Sequence, residues 1–168
     1  MSLRDILIYP DERLRETARP VDSFEPALAE LVADMFETMY SERGIGLAAT
    51  QIDEHRRLFV ADTSEDRSGA MAFVNPEIVE RAGSVESEEG CLSIPGINET
   101  VSRAERILVR GHDETGKAFE RELDGLLAIC VQHELDHLEG RLFIDYLSPL
   151  KQQRIRKKME KARRRERV

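Results

Sequence analysis

No stretch of the 168-residue chain holds the roughly 18–20 consecutive apolar residues that a membrane-spanning helix needs. The opening Met1-Ser2-Leu3-Arg4-Asp5 leads only into Ile6-Leu7-Ile8-Tyr9, too short an apolar stretch for an export signal. Two cysteines, Cys91 and Cys130, do not make a disulfide framework where no export is expected. Each thiol therefore reads as core filler or as a ligand. Solenoid-length repeats and long low-complexity stretches are also missing. These absences predict a soluble cytoplasmic protein with no membrane contact.

Hydrophobic residues make up 40% of the chain, enough at this length to bury a core without staples. The net charge of −8 argues, taken whole, against a nucleic-acid binder. The charge is unevenly spread, however. Residues 151–168 carry ten Lys/Arg, from Lys151 to Arg167, against Glu160 and Glu166, a local +8 that leaves −16 on residues 1–150. The organisation expected is a single catalytic unit over 1–148 and a basic helical extension over 149–168. A basic helix end has a simple reading, since cations suit a helix C-terminus and solvate well.

Phe24, Leu28, Leu31, Val32, Met35, Phe36 and Met39 recur at three- and four-residue steps and predict a helix over 24–42. Asp22 or Ser23 is its expected cap, Pro26 lies in its first turn, and Gly44 is its expected stop. Short β runs follow at 58–61, 71–74 (stopped by Asn75-Pro76), 78–79 and 107–109. The last is expected to pair with Ala118-Phe119 across Asp113-Glu114-Thr115-Gly116. A second helix is predicted from Asp124 to Gly140, and Ser148-Pro149 opens a third. Strands bracketed by helices rather than alternating with them predict an α+β fold with a mostly antiparallel sheet.

The second helix contains His133-Glu134-Leu135-Asp136-His137, the HExxH pattern. Residues four apart share a helix face, so both imidazoles can reach one metal ion, while Glu134 is offset toward a water beside it. Two histidines leave the ligand set incomplete. The extended HExxHxxGxxH pattern would place a third His at 143, where Phe143 stands, although Gly140 is present. Upstream, Glu88-Glu89-Gly90-Cys91-Leu92-Ser93 offers a thiol in a polar segment. Cys130, in the apolar run Leu126–Val131, reads as a core cysteine that lines or supports the site. Gly44-Ile45-Gly46-Leu47-Ala48-Ala49-Thr50-Gln51 permits close backbone approach, and Gln51 can present an amide to a reacting oxygen. At this level an HExxH endopeptidase and a metal-holding module without turnover remain open beside an amidase. Intact Glu134 and Gln51 disfavour the module.

Those three segments, in that order and spacing, resemble the peptide deformylase family. The resemblance extends to Pro10-Asp11-Glu12-Arg13-Leu14 and to Asp145-Tyr146-Leu147-Ser148-Pro149-Leu150-Lys151, nearly the whole chain. It implies antiparallel sheets wrapped around a central HExxH helix, and removal of the formyl group from N-formylmethionyl nascent peptides. It implies one divalent metal on Cys91, His133 and His137, iron(II) physiologically, with zinc, nickel or cobalt possible in purified protein. Glu134 would be the general base, and the Gln51 side chain with the Leu92 backbone N–H would stabilise the reacting oxygen. Ile45, Gly46, Leu126, Ile129 and Cys130 would form the methionine pocket, with Glu89 and Gly90 beside the peptide. Ser87 and Gly96-Ile97-Asn98 depart from the family pattern and bear on side-chain preference. A substrate emerging from a ribosome also gives the basic tail a candidate partner, the RNA of that particle.

Overall fold

The apolar stripe that includes Leu28 forms α1, Pro26–Ser41, in the computed structural model, which describes residues 2–166. Arg167, the last basic residue of the tail, lies outside the described residues. The N-cap is Glu25 rather than Asp22 or Ser23, and its side chain makes no capping bond. Pro26 takes the first helical position, where a missing N–H is no loss. At the far end Arg43 adopts the left-handed conformation (φ 57°). Its N–H bonds Tyr40 O at 3.0 Å and the Gly44 N–H bonds Met39 O at 2.9 Å. The left-handed residue that ends the helix is thus Arg43, and Gly44 closes the motif one position later.

Seven strands follow: β1 Gly46–Ala48, β2 Leu58–Ala61, β3 Met71–Ala82, β4 Val85–Cys91, β5 Ile94–Arg103, β6 Arg106–His112 and β7 Ala118–Asp124. Five form an antiparallel sheet in the order β1-β2-β3-β6-β7, and β4-β5 form a separate antiparallel hairpin. The β6–β7 hairpin is the one the turn residues predict, and Asp113 Oδ1 holds its tip by accepting the Thr115 and Lys117 N–H groups. β3 runs on through Asn75-Pro76, where the sequence predicts a stop. A register shift between Val74 and Glu77 accommodates the proline as a bulge. Asn75 there is left-handed (φ 50°), and its carboxamide pairs with the Val21 backbone N–H and C=O.

Every residue of β2 is buried because both faces of the sheet are covered. Leu58 and Val60 pack with Leu28, Val32, Met35 and Met39 of α1. Phe59 and Ala61 pack with Ala128, Val131 and Leu138 of α2, Gly125–Leu138. The β4–β5 hairpin closes over α2 and joins a third cluster, in which Ile94, Ile97 and Val101 meet Leu7, Leu14, Leu142 and Phe143. The basic helix α3, Pro149–Glu166, enters this cluster through Ile155 and Met159. Packing therefore crosses the boundary expected at residue 148.

Gly140, just past α2, has φ +77°, and a Cβ built on it would lie 2.9 Å from the Arg15 carbonyl carbon and closer still to its oxygen. Both the backbone conformation and the close approach exclude a side chain. Gly140→Ala is expected to destabilise the metal-loaded protein by at least about 2 kcal/mol, read as a lower urea midpoint at unchanged m-value. A midpoint equal to that of the parent would show that the turn relaxes freely.

Candidate metal centre and its cavity

Helix α2 places His133 and His137 one turn apart on its inner face, and the end of β4 brings Cys91 across from them. One ligand atom from each of the three lies within 4.8 Å of the others, with Cys91 Sγ 3.3 Å from His137 Nε2. The donor set fits a divalent ion that tolerates sulfur and nitrogen, such as iron(II), cobalt, nickel or zinc. Glu89 Oε1 lies 3.0 Å from His133 Nδ1, which leaves Nε2 of that ring for the metal side. A carboxylate holding the outer nitrogen of a ligating histidine is the usual supporting arrangement. Phe143, at the position of a third histidine in the extended motif, instead stacks on His133, with ring centroids 5.9 Å apart. Among the described residues, the other group of suitable spacing, Glu16, Asp53 and His55, is largely exposed, and Asp53 is already paired with Arg13.

Glu134 is buried, and its Oε1 has no hydrogen-bond partner among the described residues. Burial pushes its pKa up to about 7, against the opposing pull of His133. An unpartnered buried carboxylate oxygen is costly unless something polar occupies the space it faces. Gly46 makes room for this group: a Cβ there would lie 2.6 Å from Glu134 Oε2 and 2.7 Å from Cys130 Sγ.

Gln51 sits in a short 3-10 turn, Ala49–Ile52, and is buried. Its Oε1 accepts the Ala48 N–H at 2.9 Å, which turns the amide nitrogen toward Ser93 Oγ at 3.0 Å and Cys91 Sγ at 3.6 Å. Leu92 occupies the tight turn joining β4 to β5, and its side chain packs on Gly44. A cavity of about 530 Å³ opens beside Glu134, lined by Ile45, Gly46, Glu89, Gly90, Leu126, Ile129 and Cys130, with Ser87 and Gly96–Asn98 on its rim. Ile45 and Leu126 are exposed at its mouth, while Cys130 is buried and its thiol points to Ile45 O at 3.5 Å. Burial raises the Cys130 thiol well above its ordinary range, which keeps it protonated and apolar. The structure brings every site residue expected from the sequence into this one region.

Two participants escape the sequence reading, Arg103 and Asp136. Arg103 donates Nε and Nη2 to the two oxygens of Glu89, both at 2.8 Å, and Nη1 to Asp136 Oδ2 at 2.7 Å. Burial acts to raise the Glu89 carboxyl, but Arg103 and His133 more than reverse it, so Glu89 stays ionised. The only available signal was a charged residue in the buried phase of β5, two positions after Val101.

The polypeptide deformylase family matches residues 3–153 of the chain. The peptide deformylase of Chromobacterium violaceum is 59% identical over 161 residues, 96% of each chain, and that of Tolumonas auensis is 58% identical over 167 residues, 99% of this chain and all of that one. Among solved structures, a peptide deformylase from Legionella pneumophila superposes with a TM-score of 0.94 at 51% identity over 98% of both chains. Likeness of this extent, together with the Cys-His-His site, means that the chain belongs to the polypeptide deformylase family.

Proposed function

We propose that the protein hydrolyses the formyl group from the N-terminal formylmethionine of newly made polypeptides, with Glu134 as general base. The observation that carries this reading is the unpartnered, buried Glu134 carboxylate oxygen beside Cys91, His133 and His137. A divalent ion on those three ligands supplies a Lewis acid that acidifies water and polarises the formyl oxygen. Iron(II) is our assignment for the resident ion, resting on the family resemblance, and zinc, nickel or cobalt suit the same donors.

Glu134 takes the proton of the attacking water, and with a pKa near neutrality it can also return one. As the formyl carbon becomes tetrahedral, its oxygen gains charge. The Gln51 amide, already aimed by Ala48, and the Leu92 N–H donate to that oxygen. The carbon–nitrogen bond then breaks, formate leaves, and Glu134 delivers the proton to the departing amine. Ile45, Leu126, Ile129 and Cys130 supply apolar walls for a methionine side chain. Glu89 and Gly90 border the cavity beside Leu92, where a peptide can lie as an added strand. Ser87 and Asn98 at the rim bear on which side chains that strand prefers.

Residues 151–168 carry the second part of the proposal, contact with ribosomal RNA. Every described Lys and Arg of α3 is exposed, and the excess of positive charge contrasts with the acidic remainder. Phosphate-rich RNA attracts such a helix and repels the body, orienting the enzyme toward emerging chains. A nascent-chain substrate also places the enzyme in the cytoplasm. No helix among the described residues is long and apolar enough to cross a membrane.

Metal-loaded protein is expected to release formate from a formyl-Met peptide and nothing from its acetylated counterpart. Internal cleavage would instead favour an endopeptidase. Glu134→Ala should keep its metal by elemental analysis and lose about 10²–10⁴-fold in kcat, and near-normal turnover would refute the assigned base. Gln51→Ala should lose about 10²–10³-fold in kcat with its metal retained; a change confined to KM would remove it from the oxyanion role.

Deletion of residues 161–168 spares Ile155 and Met159 while removing half of the basic residues of the tail. The shortened protein should cleave a small peptide at the parent rate and bind ribosomes more weakly, with a shallower salt dependence. Unchanged ribosome binding would refute the docking role.

A further inference from the structure

A second cavity, of about 290 Å³, lies behind the metal centre and shares no lining residue with the first. Arg103 forms part of its wall, whereas its partner Glu89 faces the active-site cavity. The Arg103 side chain is only 4% exposed. A guanidinium carries five N–H groups. Three of those on Arg103 are used, two by Glu89 and one by Asp136. One N–H on Nη1 and one on Nη2 therefore have no acceptor among the described residues. Leaving buried charged donors unmet is unfavourable, and an incoming oxyanion satisfies them.

Arg81 and Arg141 stand at the same cavity, and neither pairs with a carboxylate among the described residues. The negative group inside is Asp136, which already accepts from Arg103 and from the Tyr146 hydroxyl at 2.9 Å. With Glu89 bonded to Arg103 from the other side, three guanidinium groups stand against two carboxylates, a local excess of one positive charge in an otherwise acidic body. Ile78, Ala104 and Leu135, all half-buried, form an apolar flank beside these charges. The cleft is half open and mainly polar, with this apolar flank on one side, a form that suits a ligand with a charged end and a small apolar part.

We propose that this cavity binds a small organic oxyanion, a phosphate monoester or a carboxylate, with its charged end among Arg81, Arg103 and Arg141 and its apolar part against Ile78 and Leu135. The inference does not depend on the deformylase reading, since none of these residues takes part in the proposed hydrolysis. Its connection to the metal centre is short: Arg103 bonds Glu89, and Glu89 bonds His133.

Calorimetric titration of the metal-loaded protein at constant ionic strength tests it, using phenyl phosphate, benzoate, inorganic phosphate and, as an uncharged control, phenol. One saturable site for phenyl phosphate or benzoate is expected at or below about 1 mM, tighter than for inorganic phosphate, with none for phenol. The tighter of the two aromatic anions identifies the ligand class. Replacing both outer arginines (Arg81→Ala with Arg141→Ala) should weaken that binding at least about tenfold while formate release stays at the parent rate, which also shows the fold intact. Absence of a saturable site below about 10 mM would overturn the proposal. So would binding that the double variant retains, since it would then lie elsewhere, for example at the metal.

Discussion

The ion pair of Glu89 with Arg103 sets the relation between the two halves of the site. Cys91 belongs to the β4–β5 hairpin, which shares no backbone ladder with the main sheet, whereas His133 and His137 belong to α2. A metal site needs its ligands placed to within a fraction of an ångström. Apolar packing of Ile94, Ile97 and Val101 brings the hairpin close but leaves it free to slide, because dispersion contacts have little direction. Glu89 removes that freedom by bonding Arg103 on β5 and His133 on α2 together, and Arg103 adds Asp136 on α2. A buried ion pair contributes little net stability after desolvation, but breaking it by removing one partner typically costs about 3–5 kcal/mol. The network is thus better understood as a positional device than as a stabilising one.

The same demand for placement explains the density of small residues on the other side of α2. β1 and the turn after it, from Gly46 to Thr50, run close along the helix, and any side chain at 46 would displace Glu134 or Cys130. Thr50 Oγ1 bonds His137 O at 3.3 Å, tying the turn that carries Gln51 to the helix that carries the histidines. The N-terminal segment then clips both loops: the Leu7 N–H bonds Gln51 O and the Tyr9 N–H bonds Ser93 O. A donor held on several sides needs no reorganisation when charge develops near it, which is the physical content of a preorganised oxyanion site.

What was legible in the sequence follows from what burial there consists of. α1 buries apolar side chains with a regular period, α2 is marked by its flanking Asp124 and Gly140, and the β6–β7 hairpin by its turn residues, so the sequence predicts each within a few residues. The HExxH pair is equally plain, because its geometry is local to one helix. Cys91 and Gln51 were candidates from the chemistry of their segments, and only the family resemblance tied them to the helix, since sequence spacing says nothing of how a hairpin folds back onto it. β4 was invisible as a strand: in Val-Glu-Ser-Glu-Glu-Gly-Cys the one buried residue is Glu89, so no apolar alternation exists to be read. β3 was cut short because Asn75-Pro76 reads as a stop unless a bulge absorbs it. In both places a local rule fails where backbone irregularity or buried charge serves the tertiary arrangement.

The basic helix shows where packing stops explaining a sequence. Through Met159 the helix has a structural reason to exist, because Ile155 and Met159, four apart, seat it against Leu142, Phe143 and the hairpin. Arg156 and Glu160 form a helical ion pair at 2.9 Å that offsets some like-charge repulsion, though exposed pairs of this kind contribute little. Beyond Glu160 no residue is buried, and Lys161, Arg163, Arg164 and Arg165 follow with a single acid, Glu166, among the described residues. Favourable interaction with the helix C-terminus accounts for one or two such cations, since the effect fades within a turn. The remaining positive charge adds repulsion to a helix end that has nothing to pack against. No contact among the described residues accounts for it, and the proposed RNA contact therefore rests on the half of the tail beyond Glu160.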